Sequence, residues 1–314
     1  MPKNILLTGG AGFIGSHLAD ELASRNYRVR VLDNLSSGLL ANIEQLIENN
    51  RIDFVKGDIR DTKIVKDCMK DVDAVLHLAA QISVTQSIRD PEFNNQVNII
   101  GTQNLLDESL RANVAKFVFI SSCAVYGDPK YLPIDESHPT NPISPYAQSK
   151  LTAEQSILQH TIGNQLSSVI LRFFNVYGPR QALNDYSGVM TKFIERIKQK
   201  QPPTIYGDGS QTRDFIYVKD IVTAIILALE NRTINEEIFN IGTGQPTTIN
   251  ELANTMLSLT SGDSKINYAQ KREGDIKHSY ANINKAKILL NYKPKYTLKE
   301  GLTLLLEENN FKIN

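Results

Sequence analysis

The fold of this chain is decided by Asn4-Ile5-Leu6-Leu7-Thr8-Gly9-Gly10-Ala11-Gly12-Phe13-Ile14-Gly15. An apolar run enters a turn with three glycines, which predicts a strand, a tight turn and a helix. Gly9 permits the turn, Gly12 lets backbone N–H groups approach a pyrophosphate, and Gly15 lets the helix lie close to the sheet. The spacing differs from the commoner Gly-x-Gly-x-x-Gly fingerprint, so an ordinary strand-to-helix turn is the alternative.

The second half of a dinucleotide pocket is predicted at Asp33. This residue ends the predicted strand Arg28–Asp33, 18 residues after Gly15, where a carboxylate accepts hydrogen bonds from an adenosine ribose. Residues 34–37 contain no arginine, so a 2′-phosphate would meet the carboxylate without a counter-charge, which favours NAD over NADP. Asp58, beyond the next predicted strand, is placed to reach an adenine amino group, unless it is simply a solvated aspartate at a strand end.

Composition narrows the class of protein. The 314 residues are enough for two cores, and 34 basic residues balance 34 acidic ones, which disfavours binding to nucleic acid or to an anionic membrane. The two cysteines, Cys68 and Cys123, and five scattered histidines indicate neither a disulfide framework nor a metal site. The apolar run at the start is too short for a signal peptide or a membrane span, so we expect a cytoplasmic protein.

Strands and helices alternate along the first half of the chain. Short apolar runs at 74–79, 117–121 and 169–173 are typical of strands buried in a parallel sheet. The pattern predicts an α/β fold with a Rossmann-type doubly wound parallel sheet. Ligands bind outside the carboxyl ends of such strands.

Proline and glycine become more frequent from about Gly178 onward. We therefore expect a dinucleotide-binding domain at 1–177 and a smaller α/β substrate domain at 178–314. A predicted helix at 218–229 and a predicted strand at 238–242 still suit the large sheet, so we expect the chain to return to the first domain around 214–241.

The candidate reactive centre is a helix that begins near Ser144. Ser144 is a good N-cap and Pro145 suits the first helical position, which puts Tyr146 in the first turn and Lys150 one turn further on the same face. An ammonium and a helix N-terminus both favour a phenolate, so we expect the pKa of Tyr146 to move toward the working pH and the side chain to act as a proton shuttle. Ser122, at a strand end, can bond the same substrate oxygen. The alternatives are a surface Tyr–Lys pair and a serine that only caps the strand.

These motifs together resemble the extended short-chain dehydrogenase/reductase family, and specifically its nucleotide-sugar epimerases and dehydratases. They are the glycine turn, Ser121-Ser122, Tyr146-x-x-x-Lys150 and Arg172-Phe173-Phe174-Asn175-Val176-Tyr177-Gly178-Pro179-Arg180. The resemblance implies a tightly held NAD and a catalytic set of Ser122, Tyr146 and Lys150. The cofactor contacts it implies are Gly9, Gly12, Phe13, Ile14, Gly15, Asp33, Asn34, Ser36, Ser37, Gly38, Asp58, Ile59, Leu78, Ala79, Ala80, Gln81, Asn98, Tyr146, Lys150 and Phe174.

The reaction is narrowed by the two residues after Ser122. Dehydratases of this family carry an Asp-Glu pair there, and its sugar-acid decarboxylases carry a glutamate at the second position, whereas this chain has Cys123 and Ala124. Neither side chain is a carboxylate acid or base, which leaves epimerisation of a UDP-hexose at its 4-position, through a transient 4-ketone. A 4,6-dehydratase, a decarboxylase, a uronate epimerase and a catalytically silent NAD-binding regulator are the alternatives.

The resemblance also implies how a UDP-sugar is held. Arg213 and Arg272 match two arginines that bind the diphosphate, although each can instead be a surface arginine paired with Asp214 or Asp275. The other substrate contacts implied are Ser83, Ser122, Tyr146, Asn175, Val189, Thr204, Tyr206 and Ser279. Ala182 stands where relatives acting on uronic acids tend to place an arginine.

Two finer expectations follow from the family pattern. Ser279 matches the residue beside the hexose, where a small side chain leaves room for an N-acetyl group, but a one-residue shift would put Tyr280 there. Helices around 101–112 and 146–159 match those that pair in a homodimer. Both helices carry more apolar side chains than one core-facing stripe needs, namely Leu106, Leu110, Leu151 and Leu158. The alternative is that these side chains pack within the monomer.

Overall fold

Seven parallel strands form the central sheet of the computed structural model, which describes residues 2–181, 188–260, 265–271 and 274–313. The strands of the described ranges are β1 (Asn4–Thr8), β2 (Arg28–Asp33), β3 (Ile52–Lys56), β4 (Ala74–His77), β5 (Lys116–Ser122), β6 (Ser167–Phe173), β7 (Asn175–Tyr177), β8 (Thr204–Tyr206), β9 (Thr212–Arg213), β10 (Phe215–Tyr217), β11 (Glu237–Ile241), β12 (Thr247–Thr248), β13 (Asn267–Ala269) and β14 (His278–Ser279). The helices are α1 (Phe13–Ser24), α2 (Glu44–Glu48), α3 (Thr62–Cys68), α4 (Val84–Arg89), α5 (Pro91–Asn95), α6 (Gly101–Arg111), α7 (Pro145–Thr161), α8 (Val189–Lys198), α9 (Val218–Glu230), α10 (Ile249–Leu259), α11 (Asn284–Leu289) and α12 (Leu298–Glu308). A π-helical turn covers Gln96–Ile100, and 3₁₀ turns cover Leu40–Asn42 and Cys123–Tyr126.

The strand order is β11-β6-β5-β4-β1-β2-β3. The chain runs outward from β1 through β2 and β3, then crosses to the other side of β1 with β4, so the order reverses between β1 and β4. All these pairs are parallel, and their carboxyl ends therefore meet at one edge of the sheet. The reversal creates the crevice in which such sheets bind ligands. The predicted doubly wound parallel sheet is confirmed.

Helices cover both faces of this sheet, because successive side chains of a buried strand point to opposite faces. Leu7 packs with Leu18 of α1 and Ile225 of α9 in one core cluster. Leu6 packs with Leu106 of α6 and other buried side chains in the cluster on the other face. α7, which carries Tyr146 and Lys150, contributes Ile157 to this second cluster. The catalytic candidates thus stand on a helix packed firmly against the sheet.

A third core lies under the smaller sheets. Phe193 of α8, Leu252 of α10 and Leu305 of α12 pack here around Tyr217. The small sheets are β12-β9-β14, β13-β8 and β10-β7. β11 follows α9 and pairs with β6 at the edge of the large sheet. The division of the chain into domains at 177/178 stays a prediction.

Two expectations need correction. The run predicted as a strand at 74–79 ends at His77 in the structure. The Leu78 N–H still bonds to the Thr8 backbone carbonyl of β1, but the Ala79 N–H bonds to the Thr8 side-chain hydroxyl instead of to a backbone carbonyl. Of the leucines offered as apolar surface for a dimer, Leu106 is buried in a core cluster of this chain, whereas Leu110, Leu151 and Leu158 pack against the clusters and are only partly buried. None of the helices in the described ranges is long and apolar enough to span a membrane.

Candidate active site

The glycine turn has the shape of an anion cradle. Gly9 has a φ of +72°, and a Cβ there would lie 2.7 Å from the Ala79 amide nitrogen, while a Cβ at Gly15 would lie 2.1 Å from the Gly9 carbonyl oxygen. Gly12 is the N-cap of α1, which begins without a side-chain cap. Among the described residues, the Gly9 carbonyl oxygen at 3.2 Å is the one atom that a Gly12 Cβ would meet within 4 Å. Open space therefore faces the N-terminus of α1, where a diphosphate fits.

Asp33 ties the glycine turn to the end of β2. One carboxylate oxygen accepts from the Ala11 N–H at 3.0 Å and the other from the Leu35 N–H at 2.8 Å. Burial raises the pKa of Asp33, which these two hydrogen bonds oppose. A Cβ at Gly38 would lie 2.9 Å from the Ala11 carbonyl carbon, so this predicted contact lies against the glycine turn, while the Ser36 N–H donates to Asn34 Oδ1 at 3.0 Å.

Asp58 forms a salt bridge with Arg60 that the sequence did not indicate. The Arg60 guanidinium donates to both Asp58 oxygens, at 2.9 and 2.8 Å, and lowers the pKa of Asp58 to about 2. Asn34 donates to the same carboxylate at 2.9 Å, which brings the ends of β2 and β3 together. Arg60 lies outside residues 34–37, where a counter-charge for the 2′-phosphate of NADP is expected. Its own charge is already neutralised by Asp58.

The segment that follows β4 is bound by the side chain of Asn98, which lies in the π-helical turn Gln96–Ile100. Its side chain accepts from the Gln81 N–H at 2.8 Å and donates to the Gln81 carbonyl at 2.9 Å and to Ser149 Oγ of α7 at 3.0 Å. Asn98 is buried and its amide is used within the protein, so it positions the predicted contact Gln81. Gln81 Oε1 is buried and has no hydrogen-bond partner among the described residues, which leaves an acceptor free for a ligand.

A chain of hydrogen bonds runs behind the segment that follows β4. The Ala79 N–H donates to Thr8 Oγ1 at 3.2 Å, and Thr8 Oγ1 lies 2.8 Å from His77 Nδ1. His77 Nε2 lies 2.9 Å from Thr102 Oγ1, whose hydroxyl donates to the Asn98 carbonyl, so Nε2 carries the ring proton. Burial lowers the pKa of His77 to about 3, and the ring is neutral at physiological pH.

α7 begins as its sequence predicts. Ser144 accepts from the Ala147 N–H at 3.2 Å as the N-cap, and Pro145 is the first helical residue. The Tyr146 N–H donates to Ser87 Oγ at 3.1 Å, a contact between α7 and α4 that the sequence did not indicate. These bonds fix the first turn of the helix, from which Tyr146 projects.

The expected lowering of the Tyr146 pKa is wrong for this structure. Burial raises the pKa of Tyr146 to about 12, and a hydrogen bond with the Ser122 side chain opposes this only in part. Burial is thus the dominant cause. Lys150 Nζ itself donates to the Ile120 carbonyl, at 2.9 Å, and lies 4.7 Å from the centre of the Phe119 ring. Ser122 also accepts from the Ala124 N–H at 3.2 Å, so it both caps the strand end and meets the phenol.

The other predicted cofactor contacts occupy two places. Phe13, Ile14 and Leu78 are partly buried and pack against the core clusters beside the glycine turn. Ile59 and Phe174 are buried, and the Phe174 N–H donates to the Ile241 carbonyl at 3.0 Å. Their side chains thus belong to the walls of the crevice.

The substrate side is organised around Arg213. Its guanidinium donates to Asp275 at 2.6 Å, whereas Asp214 is buried and accepts instead from the N–H groups of Thr243, at 2.8 Å, and Gly244, at 2.9 Å. The Asn175 N–H bonds to the Asp214 carbonyl at 2.9 Å, which brings Asn175 next to the Arg213 segment. Arg213 also lowers the pKa of Cys123, although burial raises that pKa overall to about 12. The arginine therefore lies toward the residues that follow Ser122.

Ser279 lies in register with Arg213. β14 pairs with β9 in parallel, with Ser279 opposite Arg213 and His278 opposite Thr212, so Ser279 and Arg213 share one face of this small sheet. Tyr280 follows the last paired residue. Thr204 and Tyr206 lie on β8, Val189 begins α8, and Ser83 caps α4. Arg272 and Ala182 lie outside the described residues.

Comparison with known proteins identifies the family. A family model described as GDP-mannose 4,6 dehydratase matches residues 6–305. The chain belongs to this family of extended short-chain dehydrogenases/reductases. It is 40% identical to the UDP-glucose 4-epimerase of Thermotoga maritima, solved with UDP-glucose (TM-score 0.92, 98% of both chains). It is 38% identical to the UDP-N-acetylglucosamine 4-epimerase of Methanobrevibacter ruminantium, solved with UDP-N-acetylmuramic acid (TM-score 0.94, 98% of both chains). The UDP-glucose 4-epimerase of Mycolicibacterium smegmatis is 36% identical, over 96% of this chain and 97% of that protein.

Family members differ in the reaction they catalyse. A UDP-glucuronic acid decarboxylase of Arabidopsis thaliana is 35% identical over 97% of this chain, and a dTDP-glucose 4,6-dehydratase of Streptomyces venezuelae is 32% identical. The UDP-glucose 4-epimerase of Thermus thermophilus, 34% identical, was solved with NAD. The protein is thus an enzyme of the NAD-dependent nucleotide-sugar epimerase/dehydratase family, and the cofactor NAD predicted from the sequence is confirmed.

Proposed function

We propose that this enzyme catalyses NAD-dependent 4-epimerisation of a UDP-hexose through a transient 4-ketone. The observation that carries the proposal is the pair Cys123 and Ala124, which begins the 3₁₀ turn directly after Ser122. Burial raises the pKa of the Cys123 thiol to about 12, so it remains uncharged at neutral pH, and Ala124 has no ionisable group. Without a carboxylate at these positions, loss of water or of carbon dioxide lacks the acid or base that the family's dehydratases and decarboxylases use.

The chain's own residues then have two tasks, to hold the sugar and to move one proton. NAD, bound over the glycine turn, would supply a hydride acceptor for the sugar carbon and return the hydride afterwards. Ser122 orients the 4-hydroxyl, and Tyr146 removes its proton in the first half of the reaction and returns it in the second. With a pKa raised to about 12, Tyr146 is a natural proton donor for the second half. The first half needs the phenolate, which depends on the positive charge of Lys150.

The fork of Arg213 suits the diphosphate, with Asn175 and Arg272 as further donors. Thr204 and Tyr206 would contact the uracil, and Ser83 and Val189 would line the sugar pocket. Ser279 is small and in register with Arg213, which supports its assignment as the residue beside the hexose and argues against the one-residue shift to Tyr280. We therefore propose that the enzyme accepts UDP-N-acetylglucosamine and UDP-N-acetylgalactosamine as well as UDP-glucose and UDP-galactose.

The experiment is product analysis without added reductant. Purified protein is incubated with UDP-glucose or UDP-N-acetylglucosamine, and the products are separated and weighed by mass spectrometry. Epimerisation gives a new sugar of unchanged mass and no accumulated NADH. A 4,6-dehydratase product has lost water, a decarboxylase acting on UDP-glucuronic acid gives a product that has lost carbon dioxide, and a silent regulator gives none; any of these excludes the proposal.

We also predict a homodimer through α6 and α7, which rests on the resemblance and on the partly buried leucines Leu110, Leu151 and Leu158, since Leu106 is buried within the chain. Light scattering at micromolar concentration reports the mass of the particle in solution. The prediction requires twice the 35.1 kDa mass of the chain, and a monomeric mass refutes it.

A further inference from the structure

A buried ion pair joins the catalytic helix to the sheet. Glu154 of α7 is 1% exposed and Arg172 of β6 is 3% exposed. Arg172 Nε donates to Glu154 Oε1 at 2.9 Å, and Arg172 Nη2 donates to Oε2 at 2.5 Å. Removing two such charges from water costs several kcal/mol, and an apolar pair of similar size would often be equally stable. Stability alone therefore does not explain the pair.

The pair extends to the strand that carries Ser122. Ser121 Oγ, next to Ser122 on β5, donates to Glu154 Oε1 at 2.5 Å. Arg172 Nη1 donates to the Tyr126 hydroxyl at 2.9 Å, which donates in turn to Asn240 Oδ1 at 2.7 Å. The Glu154 carboxylate thus holds α7 against both β5 and β6, close to the ends where the site is built.

The same carboxylate lies one turn from Lys150. Tyr146, Lys150 and Glu154 are spaced four residues apart along α7, so they project from one face of the helix. Burial lowers the pKa of Lys150 to about 8, and the negative charge of Glu154 opposes this lowering.

Among the residues that the structure describes, the groups that face Lys150 from other elements add no further negative charge. β5 contributes the Ile120 carbonyl and the Phe119 ring, and β4 contributes His77, which is neutral because burial lowers its pKa to about 3. Arg172 on β6 is positive and is bound to Glu154.

We propose that Glu154 is a positioning residue for Lys150. The Glu154 carboxylate, anchored by Arg172 and Ser121, fixes α7 on the sheet and presents a buried negative charge to the Lys150 ammonium. The inference rests on the proposed function, because an epimerase needs a charged Lys150 beside Tyr146 to form the phenolate. Glu154 is not among the predicted cofactor or substrate contacts, and in this proposal it acts only through Lys150.

The test is the titration of Lys150 itself. Protein labelled with ¹³C at lysine Cε is titrated by NMR, and the Lys150 signal is identified by its loss in Lys150→Met. Glu154→Gln keeps the size of the side chain and removes the charge. We expect the pKa of Lys150 to fall by about one unit or more, the effect of removing an opposite charge at close range. The alkaline limb of the pH–kcat profile, where Lys150 loses its proton, should move to lower pH by the same amount.

Controls separate this role from a structural one. Asp220→Asn removes another buried carboxylate, which accepts from the Lys295 and Tyr296 N–H groups at 2.9 and 3.1 Å, and should lower stability without moving the Lys150 titration. If Glu154→Gln does not fold, Glu154→Gln/Arg172→Gln removes both charges, and because the positive charge of Arg172 is lost as well, the pKa of Lys150 should fall by a smaller amount. A Lys150 signal that titrates as in the wild type in the folded variant overturns the proposal. This NMR readout needs no substrate, so failure of the wild type to epimerise would refute the proposed function and leave this test intact.

Discussion

Replacement of Gly12 by alanine should separate cofactor binding from folding. Gly12 has a φ of −75°, which alanine adopts without strain, and its new Cβ would lie 3.2 Å from the Gly9 carbonyl oxygen. A shift of a few tenths of an ångström relieves that contact, so we expect the free energy of unfolding to change by less than about 1 kcal/mol. The same methyl group would fill the space in front of the α1 N-terminus, where the diphosphate of NAD must approach.

The expected loss of affinity follows from the hydrogen bonds that the methyl group would block. A hydrogen bond to a charged group contributes roughly 1.5–3 kcal/mol, so losing one weakens NAD binding by about 10- to 150-fold. The assay is calorimetric titration of NAD into protein freed of bound cofactor, with the melting temperature measured in parallel.

Gly188→Ala is the matched control. Gly188 is also the N-cap of a helix, with a φ of −62°, and a Cβ there would meet no atom of the described residues within 4 Å. It should leave both NAD affinity and stability nearly unchanged. Gly15→Ala should instead lower stability, because its Cβ would lie 2.1 Å from the Gly9 carbonyl oxygen. Wild-type NAD affinity in Gly12→Ala would refute the cradle.

Three further predictions concern catalysis, specificity and stability. Tyr146→Phe should lower kcat by about two to four orders of magnitude, the range for a positioned acid/base, with NAD affinity retained; normal turnover in a steady-state assay would refute its role. Ser279→Tyr should abolish activity on the N-acetyl sugars by steric exclusion and spare UDP-glucose, whereas a wild-type enzyme inert toward both N-acetyl sugars would show the assignment to be wrong. Burial lowers the pKa of His77 to about 3, so between pH 6.5 and 3 the unfolded chain binds more protons than the folded one and stability falls as pH falls. His77 then changes the free energy of unfolding by roughly 1.4 kcal/mol per pH unit in this window. Denaturant unfolding at pH 7 and pH 5 should therefore show a weaker pH dependence of stability in His77→Gln than in the wild type. An equal pH dependence in the two proteins would contradict this.

Much of the fold follows from local chemistry. The apolar runs locate the strands of the large sheet, and the N-cap Ser144 with Pro145 locates the start of α7, because these signals involve neighbours in sequence. The short strands β9, β12 and β14 were not predicted. They contain two residues each, too few for a period to appear, and are held by pairing with distant segments.

The sequence predicts the residue types of the candidate site but not its electrostatics. Burial dominates the pKa of Tyr146, and no local pattern reveals that Lys150 bonds to the Ile120 carbonyl. The role of Arg60 is not visible in the sequence, because it follows β3 and depends on the position of Asp58, whereas a counter-charge for a 2′-phosphate is expected in the loop after β2. Glu154 had a visible signal, four residues after Lys150, but its role required the position of Arg172, 18 residues further along the chain.

The most direct test of 4-epimerisation follows one hydrogen atom. UDP-galactose deuterated at C4 of the sugar is converted in ordinary water, and the product is analysed by NMR. If a hydride leaves C4 and returns to the same carbon, UDP-glucose forms with deuterium retained at C4 and none lost to solvent. Deuterium found at C6 of a 4-keto-6-deoxy sugar, or lost from the product together with accumulation of reduced NAD, would contradict the account.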